Sequence, residues 1–336
     1  MPHHPLPADL TPFPFTTAEA RRSSVGRGRL RGSDLAHPHH GIYVAAAAAT
    51  DDDVFARCER LLPALGERHW FSHGTAARIW GMPLGGRYLA SDPLHVTSIA
   101  SDVAFRHRGT VGWVTADASI GRGVFGMLPV IAPADAWCQL AIRGAVVARR
   151  TVPHEWLVAA GDFLLTGKRK GRGEREAALC TIDELRAAVA RRGRGRGAAL
   201  LRVALEDLRW PVDSPNETRL RLGLVAYRLP EPQVQVPVMT ADGLRHADLG
   251  YPEERVLLEF QGDEHRTSRR RWLRDLTRVQ LFQDAGYHVI LIGAADLEPN
   301  CAPLAARVRR ALARGREAAR QHRLRAGSGA FVRLRG

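Results

Sequence analysis

Asp248 and the run Glu259-Phe260-Gln261, with Glu217 upstream and His265 downstream, form an acidic constellation suited to binding a cation. Two carboxylates at the ends of neighbouring strands make an oxygen-rich site for a hard divalent cation. A cation held there polarises a phosphodiester and lowers the pKa of an attacking water. The alternative is a structural network in which Asp248 pairs with Arg245 or Arg255. Either way a carboxylate on a buried strand needs a partner, and a second acid beside it makes that need stronger.

The elements that position these residues can be read locally. Ser214-Pro215-Asn216-Glu217 combines an N-cap, a proline at the first helical position and a Glu at the third, so a helix is expected over 215–227. Glu217 is thereby also explained as the acid of a capping box. An extended run over 233–238 leads into Thr240-Ala241-Asp242-Gly243, where Asp-Gly favours a tight hairpin, and 244–249 returns. Pro252-Glu253-Glu254-Arg255 turns the chain again. Val256-Leu257-Leu258-Glu259-Phe260 is too continuously apolar for an exposed strand and reads as central and buried. A helix over 268–285, closed by Gly286, and a strand over 288–292 complete the order αβββαβ.

That order, the Asp248 … Glu259-x-Gln261 spacing, the helix-borne Glu217, Gly262 and His265, and the runs Arg274-Asp275 and Ala285-Gly286-Tyr287-His288-Val289 resemble the PD-(D/E)XK nuclease superfamily. Within it they are most similar to the domain-of-unknown-function branch related to the very-short-patch-repair endonuclease. The resemblance covers roughly the last third of the chain. It implies a restriction-endonuclease-like domain and a Mg²⁺-dependent endodeoxyribonuclease. In that site Asp248 and Glu259 bind Mg²⁺ or Mn²⁺, and Glu217 holds metal or water. Gln261 would then help position water, and His265, by its residue type, would move a proton near neutral pH or contact a phosphate.

Two departures stand out. Gln261 takes the place of the usual Lys, so an amide that only hydrogen-bonds replaces a charge that stabilises a transition state, and Ala247 takes the place of the proline before the Asp. They keep a second function open, a non-catalytic DNA-binding regulator or antitoxin-like protein with a degenerate nuclease fold. His265 is equally explained as a polar residue in the loop after a strand. Arg274, Asp275 and Arg278 share one stretch of helix and are most simply surface ion pairs, with phosphate contact by the two arginines as the alternative.

The first half reads as a different unit. Thr16-Thr17-Ala18-Glu19-Ala20 starts a short helix; the basic run Arg27-Gly28-Arg29-Leu30-Arg31 ahead of Ser33-Asp34-Leu35 gives a second; Gly41-Ile42-Tyr43-Val44 closes with a strand. Arg29 and Arg31 are candidate DNA-backbone contacts, or a solvated face. Residues 16–44 resemble the N-terminal winged-helix segment of AbiEi-type antitoxins. Phe71-Ser72-His73-Gly74-Thr75-Ala76-Ala77 and Pro129 to Trp137 look like helix starts of the middle domain of that architecture, with His73 a structural hydrogen-bonder. Arg191 to Gly197, alternating Arg with Gly, and 168–172 are basic connector loops, and 304–325 is an Arg-rich amphipathic helix.

The expected division is therefore a winged-helix-like region over 1–50, a mixed, largely helical AbiEi-like region over 51–210, the nuclease-like domain over 211–300 and a basic helix and tail over 301–336, α+β overall. The chain has 336 residues, 45% of them hydrophobic, enough for two or three domains with ample cores. A formal charge of +14 suits a polyanion such as DNA. All but Lys168 and Lys170 of the 49 basic side chains are Arg, a skew that a GC-rich genome also produces. A toxin or other protein is the further partner that an antitoxin-like protein would have. The four cysteines form no C-x-x-C pair, which argues against a disulfide framework or zinc ribbon and for a reducing cytoplasm. Neither a signal core nor a membrane span is read, and no tandem repeat, Walker loop, Ser-His-Asp arrangement or dinucleotide fingerprint occurs.

Overall fold

The computed structural model describes residues 4–331 apart from 12, 40, 47–52, 87–91, 147–149, 168, 171–173, 262–268 and 299. Helices and mixed sheets together make an α+β chain in two units, Met1–Ala160 with Leu179–Glu206, and Gly161–Ala178 with Asp207–Gly336.

The first unit opens with β1 (Phe15–Thr16) and α1 (Thr17–Arg22). Thr16 Oγ1 accepts from Glu19 N at 3.1 Å and Glu19 Oε2 accepts from Thr16 N at 2.6 Å, a reciprocal capping box. The second short helix expected here is a single 3₁₀ turn, Arg29–Arg31. Gly26, Gly28 and Gly32 surround it, and that density of glycine makes a longer helix entropically unfavourable. Ser33-Asp34-Leu35 leads instead into β2 (Leu35–His39), and β3 (Ile42–Ala45) completes a sheet ordered β1-β3-β2 over a core of Leu10, Phe15, Ala20 and Leu30.

The middle of this unit carries more strand than its sequence suggests. After α2 (Val54–Leu61) come β4 (His69–Phe71), α3 (His73–Ile79), β5 (Leu94–Ile99), β6 (Thr110–Thr115), β7 (Arg122–Phe125), β8 (Leu128–Ile131) and α4 (Pro133–Leu140). The five strands form one mixed sheet, β6-β5-β4-β8-β7. The helices α3 and α4 do start in the two segments the sequence singles out. α5 (His154–Leu165), whose residues from Gly161 onward count with the second unit, is followed by α6 (Ile182–Arg192) and α7 (Ala198–Glu206). All four cysteines are buried free thiols.

The second unit follows the expected order: α8 (Pro215–Ala226), β9 (Gln233–Thr240), β10 (Gly243–Tyr251), β11 (Val256–Gln261), α9 (Arg269–Asp284) and β12 (His288–Gly293), then α10 (Ala302–Phe331). β9, β10 and β11 form an antiparallel meander, and α9 crosses over to place β12 parallel to β11. At the crossover's end Gly286 takes φ +84°, and Arg255 donates to the carbonyls of Ala285 at 2.7 Å and Gly286 at 3.1 Å. These bonds satisfy carbonyls a helix end leaves open.

Both faces of this sheet are covered, which is why β11 is apolar throughout its first three residues. Leu220 and Leu224 of α8 and Leu304, Val308 and Leu312 of α10 pack on Leu249, Leu258, Ile290 and Ile292. On another side Phe282 of α9 packs with Val236, Val238, Ala247 and Leu257. Each fully buried aliphatic or aromatic side chain here contributes about 1.5–3 kcal/mol. The amphipathic C-terminal helix thus spends its Leu, Ala and Val stripe on the sheet, as its periodicity suggests. Among the described residues, no helix is long and apolar enough to cross a membrane.

Candidate active site

The β10–β11 register pairs Leu249 with Leu258, so one step on it sets Asp248 opposite Glu259. There the carboxylates replace the ladder. Asp248 N donates to Glu259 Oε1 at 3.1 Å and Phe260 N donates to Asp248 Oδ2 at 2.9 Å, so each acid accepts from the backbone of the opposite strand. Directly opposed like charges destabilise a sheet. Burial, then the charges of Glu259 and Glu217, push the Asp248 carboxyl well above the usual carboxylate range.

The cation that answers this pair is Arg278. Its Nε donates to Glu259 Oε2 at 2.7 Å and its Nη2 to Glu259 Oε1 at 3.3 Å, with Nη2 3.7 Å from Asp248 Oδ1 and also bonded to His246 O. Neither alternative partner of Asp248 is used: Arg245 pairs with Asp242, and Arg255 caps α9 and lies over Tyr287 at 4.9 Å. The simplest sequence reading of Arg278, a surface ion pair, is therefore corrected. The fully buried Phe282 lies four positions further on, so both side chains leave the same face of α9 toward the sheet. The same geometry puts the guanidinium 5.3 Å from the Phe282 ring centre. Burial works against its charge, but the hydrogen bonds and charge of Glu259, aided by Asp248, outweigh it and raise its pKa.

Glu217 belongs to the same cluster without using its carboxylate as a capping box would. Ser214 Oγ accepts from Glu217 N at 3.3 Å, while Glu217 Oε2 accepts from Asp213 N at 3.1 Å and from Gln235 Nε2 at 3.3 Å. The residue is 3% exposed. Burial pushes its carboxyl up to about 7, the charge of Asp213 adding to this and hydrogen bonds from Asp213 N, Ser214 and Gln235 opposing it.

Gln235 is a residue that sequence reasoning missed. It sits in β9 at φ +48°, a conformation uncommon for a side chain of this kind and worth of order 1–3 kcal/mol in strain. Its amide links Glu217 to Arg169, whose Nη2 donates to Gln235 Oε1 at 2.8 Å. Arg169 and Arg175 both pair with Asp213, at 3.0 and 2.7 Å. Nothing in the strand's composition marks the bend.

Glu217, Asp248, Glu259, Gln261, Arg169 and Arg278 share the wall of a cavity of about 340 Å³. Gln261 reaches it from the end of β11, in register with Gly293. His265 lies outside the described residues, as does the side chain of Arg274. Arg29 and Arg31 belong to the first unit, where Arg29 grips Asp34 through Nη1 at 2.9 Å and Nη2 at 2.6 Å. His73, also in the first unit, is buried at φ +51°, stacked on Trp113 with ring centres 4.0 Å apart and bonded to Ser72 Oγ at 3.0 Å. Among the described residues no three His, Cys, Asp or Glu side chains converge as a metal cage. The oxygen pair of Asp248 and Glu259 beside open space still fits Mg²⁺, which keeps several waters and takes one or two carboxylates.

Comparison with known proteins gives relatives without an assigned activity. The chain is 26% identical over 291 residues to uncharacterized proteins from two strains of Mycobacterium tuberculosis, covering 86% of this chain and 97% of each relative. No protein-family model matches the chain. No solved structure matches it either.

Proposed function

We propose that this chain is a metal-dependent endonuclease-like protein that hydrolyses phosphodiester bonds in DNA, acting in repair or defence. One observation carries the reading: two carboxylates opposed across adjacent strands, each accepting from the other's strand, at the wall of a cavity that also holds Glu217 and Gln261. In this reading Asp248 and Glu259 hold Mg²⁺ or Mn²⁺. The ion supplies Lewis acidity toward the phosphodiester and a lowered pKa for the attacking water.

The chain's own groups divide the remaining work. Glu217, whose carboxyl burial holds above the usual carboxylate range, lines the same cavity and would hold metal or position water there. Gln235 fixes its orientation. Gln261 offers an amide to the water but no charge, so positive charge at the cavity comes from Arg278 and Arg169. The formal charge of +14 favours approach of a polyanion.

A second reading is favoured by the pairing of Arg278 with Glu259 and by Gln261 in the usual Lys position: a DNA-binding regulator in which the carboxylates are structural. Strand scission separates the two. Metal-dependent cutting of supercoiled plasmid that disappears in Asp248→Ala and Glu259→Ala supports the nuclease; salt-dependent binding without cutting supports the regulator.

A further inference from the structure

We propose that Arg278 is the resident counter-cation of this site: it occupies the Asp248 and Glu259 pair while no divalent cation is bound, yields the pair to that cation, and then turns its guanidinium to a phosphodiester in the cavity. The inference rests on the metal-site reading above and adds to it a competition and a hand-over.

The geometry is that of an occupied cation site. Two nitrogens of one guanidinium lie at 2.7 and 3.3 Å from the two oxygens of Glu259, and one of them lies 3.7 Å from Asp248 Oδ1. A divalent cation held by Asp248 and Glu259 would draw on the same carboxylates that Arg278 occupies, so the two cations would compete. Arg278 is nevertheless unable to leave. Its helix is pinned one turn further on by Phe282, buried with Leu257, so only the side chain moves. Its guanidinium already lines the cavity that Glu217 and Gln261 share.

Charge fixes what the released guanidinium takes. A divalent cation at the pair would add two positive charges and leave the guanidinium without its carboxylate partner. A phosphodiester in the cavity, carrying one negative charge, would supply a new one. The planar fork of Arg suits phosphate oxygens as it suits carboxylate oxygens. This also gives a physical reason for an uncharged Gln261: the cation that a lysine would supply comes from α9.

The test is Mn²⁺ titration of the full chain without nucleic acid, following the free-ion electron paramagnetic resonance signal for wild type, Arg278→Lys and Arg278→Gln. It is run at pH 8, because carboxylates that lose the guanidinium take up protons more readily. Arg278→Gln should bind Mn²⁺ about tenfold more tightly than wild type, with Arg278→Lys between them. Its ion-free melting temperature should be lower than wild type and recover with Mn²⁺. Equal or weaker Mn²⁺ binding by Arg278→Gln, with wild type binding well, overturns the competition and leaves the metal site standing. No Mn²⁺ binding by wild type or by either folded variant overturns the metal-site reading and this inference with it. For the hand-over, Arg278→Gln should lose about tenfold in affinity for a short DNA duplex in Ca²⁺ but little in EDTA. An equal loss in both makes Arg278 a permanent phosphate contact and overturns the hand-over.

Discussion

Arg278 and Glu259 meet side on, Nε to Oε2 at 2.7 Å and Nη2 to Oε1 at 3.3 Å, and through this contact α9 is tied to β11 at the wall of the cavity. One turn along the same helix Phe282 packs with Leu257, two residues back along the same strand. The apolar contact sets the depth of the helix and the polar one uses it. Phe282→Ala should therefore cost about 3–5 kcal/mol in urea denaturation, the usual loss for a buried ring truncated to a methyl, and Phe282→Leu considerably less. A loss below about 1 kcal/mol for the alanine variant would show that α9 is held by something else.

A second buried network lies beneath α8. Asp162 accepts from Arg209 N at 2.7 Å and Thr218 Oγ1 at 2.8 Å, and pairs with the buried Arg221 at 3.4 Å. Burial pushes its carboxyl from an ordinary 3.8 up to about 6, the charge of Arg221 and those hydrogen bonds pulling the other way. The folded state thus binds the proton more tightly than the unfolded one. The associated stability is fully present below 3.8 and is lost as pH rises through about 6, a change of about 3 kcal/mol. Hydrogen exchange of α8 amides should show protection falling over that window in wild type and falling less steeply in Asp162→Asn, where Glu217, raised from 4.5 to about 7, still responds. A wild-type profile that rises there would reverse the assignment.

The first unit should respond in the opposite direction. His95 Nδ1 accepts from Trp113 Nε1 at 3.0 Å, which requires that nitrogen to be unprotonated. Burial, helped by the charge of Arg78, lowers His95 from 6.5 to about 4. Here the stability is present above 6.5 and is lost as pH falls through about 4, again about 3 kcal/mol. The difference in fluorescence between wild type and Trp113→Phe should change with a midpoint near 4. A midpoint near 6.5 would mean that His95 is solvated and the Trp113 bond absent.

Much of the second unit was legible because its signals are local. Ser214-Pro215 starts α8, Gly243 at φ +93° follows the hairpin's two-residue loop, Gly286 ends α9, and the apolar run before Glu259 marks a strand covered on both faces. The opposition of Asp248 and Glu259 follows from hairpin register, which spacing encodes. The role of Arg278 does not: it depends on the angle at which α9 crosses β11, and in sequence its only trace is the four-residue step to Phe282. Gln235 gives no trace, since its left-handed backbone occurs without Gly or Asn. β5 was hidden for another reason. His95, Thr97 and Ser98 are buried polar residues that break the apolar pattern a central strand normally shows.

The proposed role of Asp248 and Glu259 in a metal-dependent hydrolysis of DNA is tested by binding and cutting measured side by side. Wild type and the near-isosteric Asp248→Asn/Glu259→Gln variant would be compared on one supercoiled plasmid with Mn²⁺, with Mg²⁺ and with EDTA, with DNA affinity measured on the same preparations. Wild type should nick in either metal and not in EDTA, and the variant should lose at least about a thousandfold in nicking with DNA affinity retained. Nicking that survives in the folded variant, or in EDTA, would contradict that role.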